Sequence, residues 1–191
     1  MNPIVIFETY IKGHSIFSDQ EISAISSLAV TKSLKKRENL LCVGEVCKFY
    51  TFVCTGCLRS YRLDRRGGEH IVSFSPVNHW VGSYVSLMTN VPSNEFVDAL
   101  EDSTVIQLSS EAFNSLLLDV PKFAVLITKV LTDDYGRNRD RIYMMLSNQA
   151  QERYSHFIRH FPQLNQRVPI YMIASYLGVS RETLTRIRNS M

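Results

Sequence analysis

The chain has 191 residues, of which 45% are hydrophobic and 20% charged, with a net charge of +3. That composition fits a globular chain with a sizeable core and excludes a disordered or collagen-like one. No apolar run approaches the roughly 18 residues a membrane-spanning helix needs. The first fifteen residues also lack the long apolar stretch of a secretory signal, so the cytoplasm is the expected location.

The charge is unevenly placed. Residues 137–191 hold nine arginines, no lysine and three acids (Asp140, Glu152, Glu182), whereas residues 1–136 hold twelve basic residues against fifteen acids. A basic C-terminal end behind a slightly acidic body suggests an anionic partner for that end, against the plainer reading of a solvated basic face.

In chain order, "FSDQEISAISSL" predicts a short helix. Ser18 and Glu21, three positions on, form a capping-box pattern, and Ile22, Ile25 and Leu28 recur at helical spacing. From about residue 34 to 110, short β-branched and aromatic runs alternate with turn signals. Arg65-Arg66-Gly67-Gly68 between two alternating runs predicts a hairpin, and the whole stretch predicts an antiparallel barrel or sandwich. Cys42, Cys47, Cys54 and Cys57 cluster there. Residues on a strand alternate faces and do not converge on a metal, so buried structural cysteines are favoured over a metal or redox site. His70 beside Glu69 is a poor acid–base pair for the same reason.

A helix is predicted around 109–120, and Pro121 is placed to open the next one. That long helix carries a stripe at Ala124, Thr128, Leu131, Tyr135, Asn138, Ile142 and Met145, with alternating four- and three-residue spacing. The spacing reads as a coiled-coil seam for a second copy, or as a helix packed on its own barrel; Gly136 marks a candidate kink.

The last two helical pieces test well as a helix-turn-helix. The motif needs a small residue where the helices cross, a residue tolerant of a left-handed turn between them, and apolar residues that pack the second helix on the first. Ala174 fills the first role and Gly178 the second; Leu184 and Ile187 fill the third with Ile173, Leu177 and Val179. Ser180 is the expected cap of the second helix. With Leu184 and Ile187 inward, Arg181, Glu182, Thr185, Arg186 and Asn189 face outward, and Arg188 is added to the DNA-binding set. Arginine forks match guanine O6 and N7, and a carboxylate accepts from cytosine N4.

These residues resemble the Crp/Fnr bacterial transcription regulators. "SRETLTRI" is similar to that family's Ser-Arg-Glu-Thr-x-x-Arg-Ile, so the resemblance makes Arg181, Glu182 and Arg186 the base readers. "FVCTGCLRSY" and "RRGGEHIVSF" fall where the family has barrel hairpins, with Gly56 and Gly67 at the turns. The implied fold is α+β: an antiparallel β-barrel (a cyclic-nucleotide-binding-like jelly roll), a long dimerisation helix and a C-terminal helix-turn-helix. The implied division is a sensor domain over 1–120, a dimerisation helix over 121–147 and a DNA-binding domain over 148–191. The implied function is a homodimeric regulator that reads a palindromic DNA site under control of a small-molecule effector in the barrel. Double-stranded DNA and a second copy are the expected partners, RNA polymerase is a candidate partner, and no membrane role is expected.

The sequence departs from the family's nucleotide cassette. Gly82 matches its glycine, but Ser83 and Tyr84 stand where Glu-Leu would be, and Ser93, Asn94 and Glu95 where Arg-Ser-Ala would be. Gly82, Ser83, Tyr84, Ser93 and Asn94 are the candidate effector residues, with cyclic AMP an unlikely ligand because the phosphate loses its charged partner. No cysteine precedes Cys42, which does not match the iron–sulfur pattern of the Fnr branch, and the histidines form no cluster, so no metal is expected. No enzyme motif is present. The competing reading is a ligand-binding module whose helical tail docks on a protein.

Overall fold

The computed structural model describes residues 2–190. The chain opens with α1 (Pro3–His14), which has no counterpart among the sequence expectations. Its apolar Phe7 and Ile11 are fully buried, and the Asn2 side chain caps it by accepting from the Ile4 N–H at 3.0 Å. The β-branched and aromatic content of "IVIFETYI" masked the helical period. In α2 (Asp19–Ser27) the capping box is present: Glu21 N–H donates to Ser18 Oγ at 3.2 Å and Ser18 N–H to Glu21 Oε2 at 2.6 Å.

Eight strands follow, interrupted by one short helix. They are β1 (Val30–Leu34), β2 (Asn39–Leu41), β3 (Phe49–Thr55), β4 (Cys57–Leu63), β5 (Glu69–Pro76) and β6 (Trp80–Val81), then α3 (Tyr84–Thr89), then β7 (Phe96–Ala99) and β8 (Ser103–Ser109). The expected antiparallel jelly roll is present, and it is not a closed ring. The strands form two four-stranded sheets of jelly-roll type, ordered β1-β8-β3-β6 and β2-β7-β4-β5. In the first, antiparallel pairing sets Thr31 and Phe52 on either side of Ile106. The pairing register shifts between Asn39 and Leu41 and between Val53 and Thr55.

Two further helices are α4 (Ser110–Asp119), capped by Ser109, and α5 (Pro121–Ser147), which starts at Pro121 and runs unbroken through Gly136. The chain then makes α6 (Ala150–His160), a single 3-10 turn at Pro162–Leu164, α7 (Ile170–Leu177) and α8 (Arg181–Ser190).

The chain divides into two compact units: Met1–Ser60 with Phe74–Leu131, and Tyr61–Ser73 with Thr132–Met191. The cut differs from the three-part division read in the sequence. Helix α5 is shared between units, and the β4–β5 tip groups with the C-terminal helices.

In the first unit an aromatic cluster forms the core. Phe7 meets Phe52 and Trp80 at 5.2 and 5.7 Å, Tyr50 stacks on Trp80 at 4.9 Å, and Phe113 meets Phe123 edge-on at 5.7 Å. Such pairs add about 0.5–1.5 kcal/mol each beyond the area they bury. Cys47, Cys54 and Cys57 are buried here as small apolar residues, and Cys42 is half-buried. Burial pushes the Cys54 thiol up to about 11, which suppresses thiolate chemistry. Gly56, at φ +88°, turns the chain from β3 to β4; a Cβ there would lie 2.1 Å from Ser103 Oγ, so only glycine fits. Arg59 and Asp98 form a buried two-bonded ion pair at 2.8 and 2.9 Å.

In the second unit the hairpin tip is built by Asp64. Its carboxylate accepts from the Arg66 and Gly68 N–H groups at 2.8 and 2.9 Å and meets His70 Nε2 at 2.9 Å. His70 thus pairs with Asp64, not with its neighbour Glu69.

Candidate nucleic-acid interface

Helices α7 and α8 form the helix-turn-helix, and its turn is a backbone solution. Gly178 adopts φ +66°, ψ +40°; its N–H donates to Ser175 O at 3.1 Å, and Val179 N–H donates to Ala174 O at 3.0 Å. These are the two bonds of a Schellman cap, which satisfies the last carbonyls of α7 and turns the chain. Ser180 Oγ then accepts from Thr183 N–H at 3.1 Å and starts α8. Ala174 is buried at the crossing beside Ile173 and Leu177. Leu184 is fully buried, and Ile187 is half-buried on the same side.

Arg181, Glu182, Thr185, Arg186 and Asn189 are all exposed. Successive residues advance about 100° around a helix, so these five lie on one face spanning roughly 140°. The Glu182 carboxyl is held below the usual carboxylate range by its own backbone N–H and by the Ser180 hydroxyl, which keeps it an acceptor at neutral pH. Thr185 Oγ1 donates back to Arg181 O at 2.9 Å.

Arg188 is not part of that face. Its Nε donates to Tyr154 Oη at 2.9 Å, and Nη2 donates to Asn165 O at 2.9 Å and to Asn165 Oδ1. The guanidinium also lies 5.6 Å from the Tyr154 ring centre. The structure therefore gives Arg188 a tying role between α8, α6 and the 162–165 turn. A period argument places Arg188 only about 20° from Arg181, so sequence spacing could not separate a reading arginine from a tying one.

The expected effector residues are mostly elsewhere. The first unit holds a cavity of about 500 Å³ lined by Leu40, Leu41, Cys47, Phe49, Thr51 and Gln107 among others, within the range of small-molecule sites. Of the five candidates only Gly82 lines it. Ser83 caps α3 through the Ser86 N–H, and Tyr84 packs edge-on against Tyr50 and Phe113. Ser93 is buried and closes a turn with Glu95, and Asn94 is exposed. Residues 82–95 contain no lysine or arginine. The charged groups on the cavity wall are Lys48 and Glu45, one of each sign, and its lining residues also make two polar contacts, Gln107 Nε2 donating to Thr51 Oγ1 at 3.4 Å and Cys47 Sγ donating to Phe49 O at 3.2 Å. Thr51 and Gln107 were not singled out in the sequence; a polar residue at an inward strand position is the signal that marks them.

The chain thus combines two antiparallel sheets of jelly-roll type, a long helix and a helix-turn-helix whose outward face carries Arg181 and Arg186. Known proteins share parts of this arrangement. Residues 31–119 match the cyclic nucleotide-binding domain family. The chain is 25% identical over 167 residues to the fumarate and nitrate reduction regulatory protein of Yersinia pestis, an alignment covering 82% of this chain and 66% of that protein, just under two thirds of its length. Its fold is similar to that of FixK2 from Bradyrhizobium japonicum (TM-score 0.76, 19% identity, 85% of this chain and 83% of that one). It is also similar to the catabolite activator protein of Thermus thermophilus (TM-score 0.60, 16% identity, 99% and 86%). In sequence and fold the chain is thus similar to regulators of the Crp/Fnr type. No helix among the described residues is long and apolar enough to cross a membrane.

Proposed function

We propose that this protein is a sequence-specific DNA-binding transcription regulator that acts as a cytoplasmic homodimer, with α8 in the major groove. The observation that carries the reading is the single outward face of Arg181, Glu182, Thr185, Arg186 and Asn189 on a helix held by the buried Leu184 and, at the edge of that face, by the Arg188 contacts. Docking on a protein has no need of two arginine forks flanking an ionised carboxylate. Arg181 and Arg186 suit guanine edges, and Glu182 suits a cytosine amine. The homodimer is supported by an open apolar strip on α5, where Tyr135, Ile142 and Leu146 are 67%, 60% and 83% exposed. Two α8 helices related by a two-fold axis read half-sites about one helical turn apart, which makes the target palindromic. The effector site is the 500 Å³ cavity between the sheets, and its lining favours an uncharged or weakly polar ligand over a cyclic nucleotide. RNA polymerase remains a partner by family likeness.

Salt titration tests this reading. Fluorescence anisotropy on a labelled duplex carrying a selected site should show affinity falling steeply as salt rises, with log–log slope near −0.9 for each phosphate neutralised. A flat salt response would contradict major-groove binding.

A further inference from the structure

Inside the C-terminal unit, α5, α6 and α7 leave a cleft that the DNA-reading face does not use. Its floor is apolar: Met144, Met145, Phe157 and Leu177. Its edge is cationic or basic: Arg137, Arg141, Arg153, His156 and His160. No carboxylate lines it.

Arg137 is paired with Asp134. The other two guanidiniums are not matched by acids. Arg141 donates to the carbonyls of Tyr176 at 3.1 Å, of Ile71 at 3.2 Å and of Val72, with its guanidinium 4.0 Å above the Tyr176 ring. Carbonyls and a ring face hold the guanidinium in place but leave its full charge uncancelled. Arg153 donates through Nη1 to Asn148 O at 2.8 Å, while its Nε is buried with no acceptor. With three arginines and two histidines on its wall and no carboxylate, the cleft attracts an anion. The His156 and His160 rings stack 3.9 Å apart on the same side of α6.

We propose that this cleft binds a small organic carboxylate with an apolar body. The enclosed part of the cleft is about 30 Å³, enough for a carboxylate head or two waters and no more. The head would sit at the Arg153 guanidinium on the cleft edge, in the field of Arg141, with His156 and His160 alongside. The apolar body would lie over the methionine, phenylalanine and leucine floor. A bare inorganic anion fits the charge but not the floor, and an uncharged amphiphile fits the floor but not the cationic edge.

Octanoate is the probe, titrated calorimetrically into the full chain at neutral pH, with octan-1-ol and inorganic phosphate as comparisons. Octanoate should bind at a single site per chain, with octanol and phosphate each weaker by roughly tenfold or more, the loss of one charge-assisted hydrogen bond or of the apolar contact. Arg153→Met should weaken octanoate to the same degree. Equal binding of octanol, equal binding of phosphate, or octanoate affinity unchanged in Arg153→Met would each overturn the proposal. If circular dichroism shows that Arg153→Met does not fold, wild-type NMR decides. Octanoate must shift the Met144 and Met145 methyl signals and the His156 ring signals. Shifts confined to Leu40 and Leu41 would place the ligand in the other cavity and overturn it.

Discussion

Arg186 and Arg188 sit two residues apart and do different work. Arg186 is exposed, whereas Arg188 is held by Tyr154 and Asn165. Arg186→Ala should leave the thermal midpoint unchanged and cost about 1–3 kcal/mol of discrimination at one base pair. Arg188→Ala should instead lower stability by about 2 kcal/mol, through lost charge-assisted bonds, without relaxing any one base position. Thermal melts alongside binding to single-base variants of the site separate the two. Asp64 carries the clearest pH signature. Its bonds from His70, Gly68 and Arg66 lower its pKa to about 2, below the ordinary carboxylate value of 3.8. A lowered folded pKa means that the carboxylate adds stability above the unfolded value and that this is lost as pH falls through the folded one. Denaturant melts of wild type and Asp64→Asn should therefore differ at pH 7, with the gap closing between about pH 4 and pH 2. A gap that stayed constant would show that Asp64 contributes nothing through its charge.

The elements were legible to different degrees, and the differences have physical causes. Helix α2 and the turn between α7 and α8 could be read because capping and left-handed glycine chemistry are local: Ser18, Glu21, Gly178 and Ser180 do in the structure what their types and spacing require. Helix α1 was hidden because its apolar face is β-branched and aromatic, and what makes it a helix is Phe7 packing on Phe52 and Trp80, residues far off in sequence. The Arg59–Asp98 pair is similarly non-local. Along α5 most of the expected seam is exposed, at Thr128, Tyr135, Asn138, Ile142 and Met145, whereas Leu131 packs against the core of its own unit. An exposed strip that shares Thr128, Tyr135 and Ile142 with that seam also takes in Val125, Thr132, Arg139 and Leu146. Charging that strip with Ile142→Arg/Leu146→Arg should convert the proposed dimer to monomer in sedimentation velocity while circular dichroism keeps its helical signal. A dimer that survived both charges would place the two-fold contact elsewhere.

Across the whole chain, the arginine-rich C-terminal end pointed to an anionic partner before any fold was known, and the structure concentrates five outward side chains of that end on α8. The proposed effector site was far less legible. The family cassette was sought at Gly82, Ser83, Tyr84, Ser93 and Asn94, but this chain spends four of those on capping, packing, a turn or the solvent. Its cavity is lined instead by residues that converge only after two sheets pack, among them Leu40, Thr51 and Gln107. Motif matching finds residues that keep a family's role and misses those that a new ligand would require.

Selection of the purified full chain on random duplex DNA, beside Arg181→Ala/Arg186→Ala, tests the central claim most directly. The account predicts a palindromic motif with half-sites about one helical turn apart, enriched by wild type, lost in the double variant and unaffected by added cyclic AMP. An identical motif from the double variant, or enrichment that appears only with cyclic AMP, would contradict it.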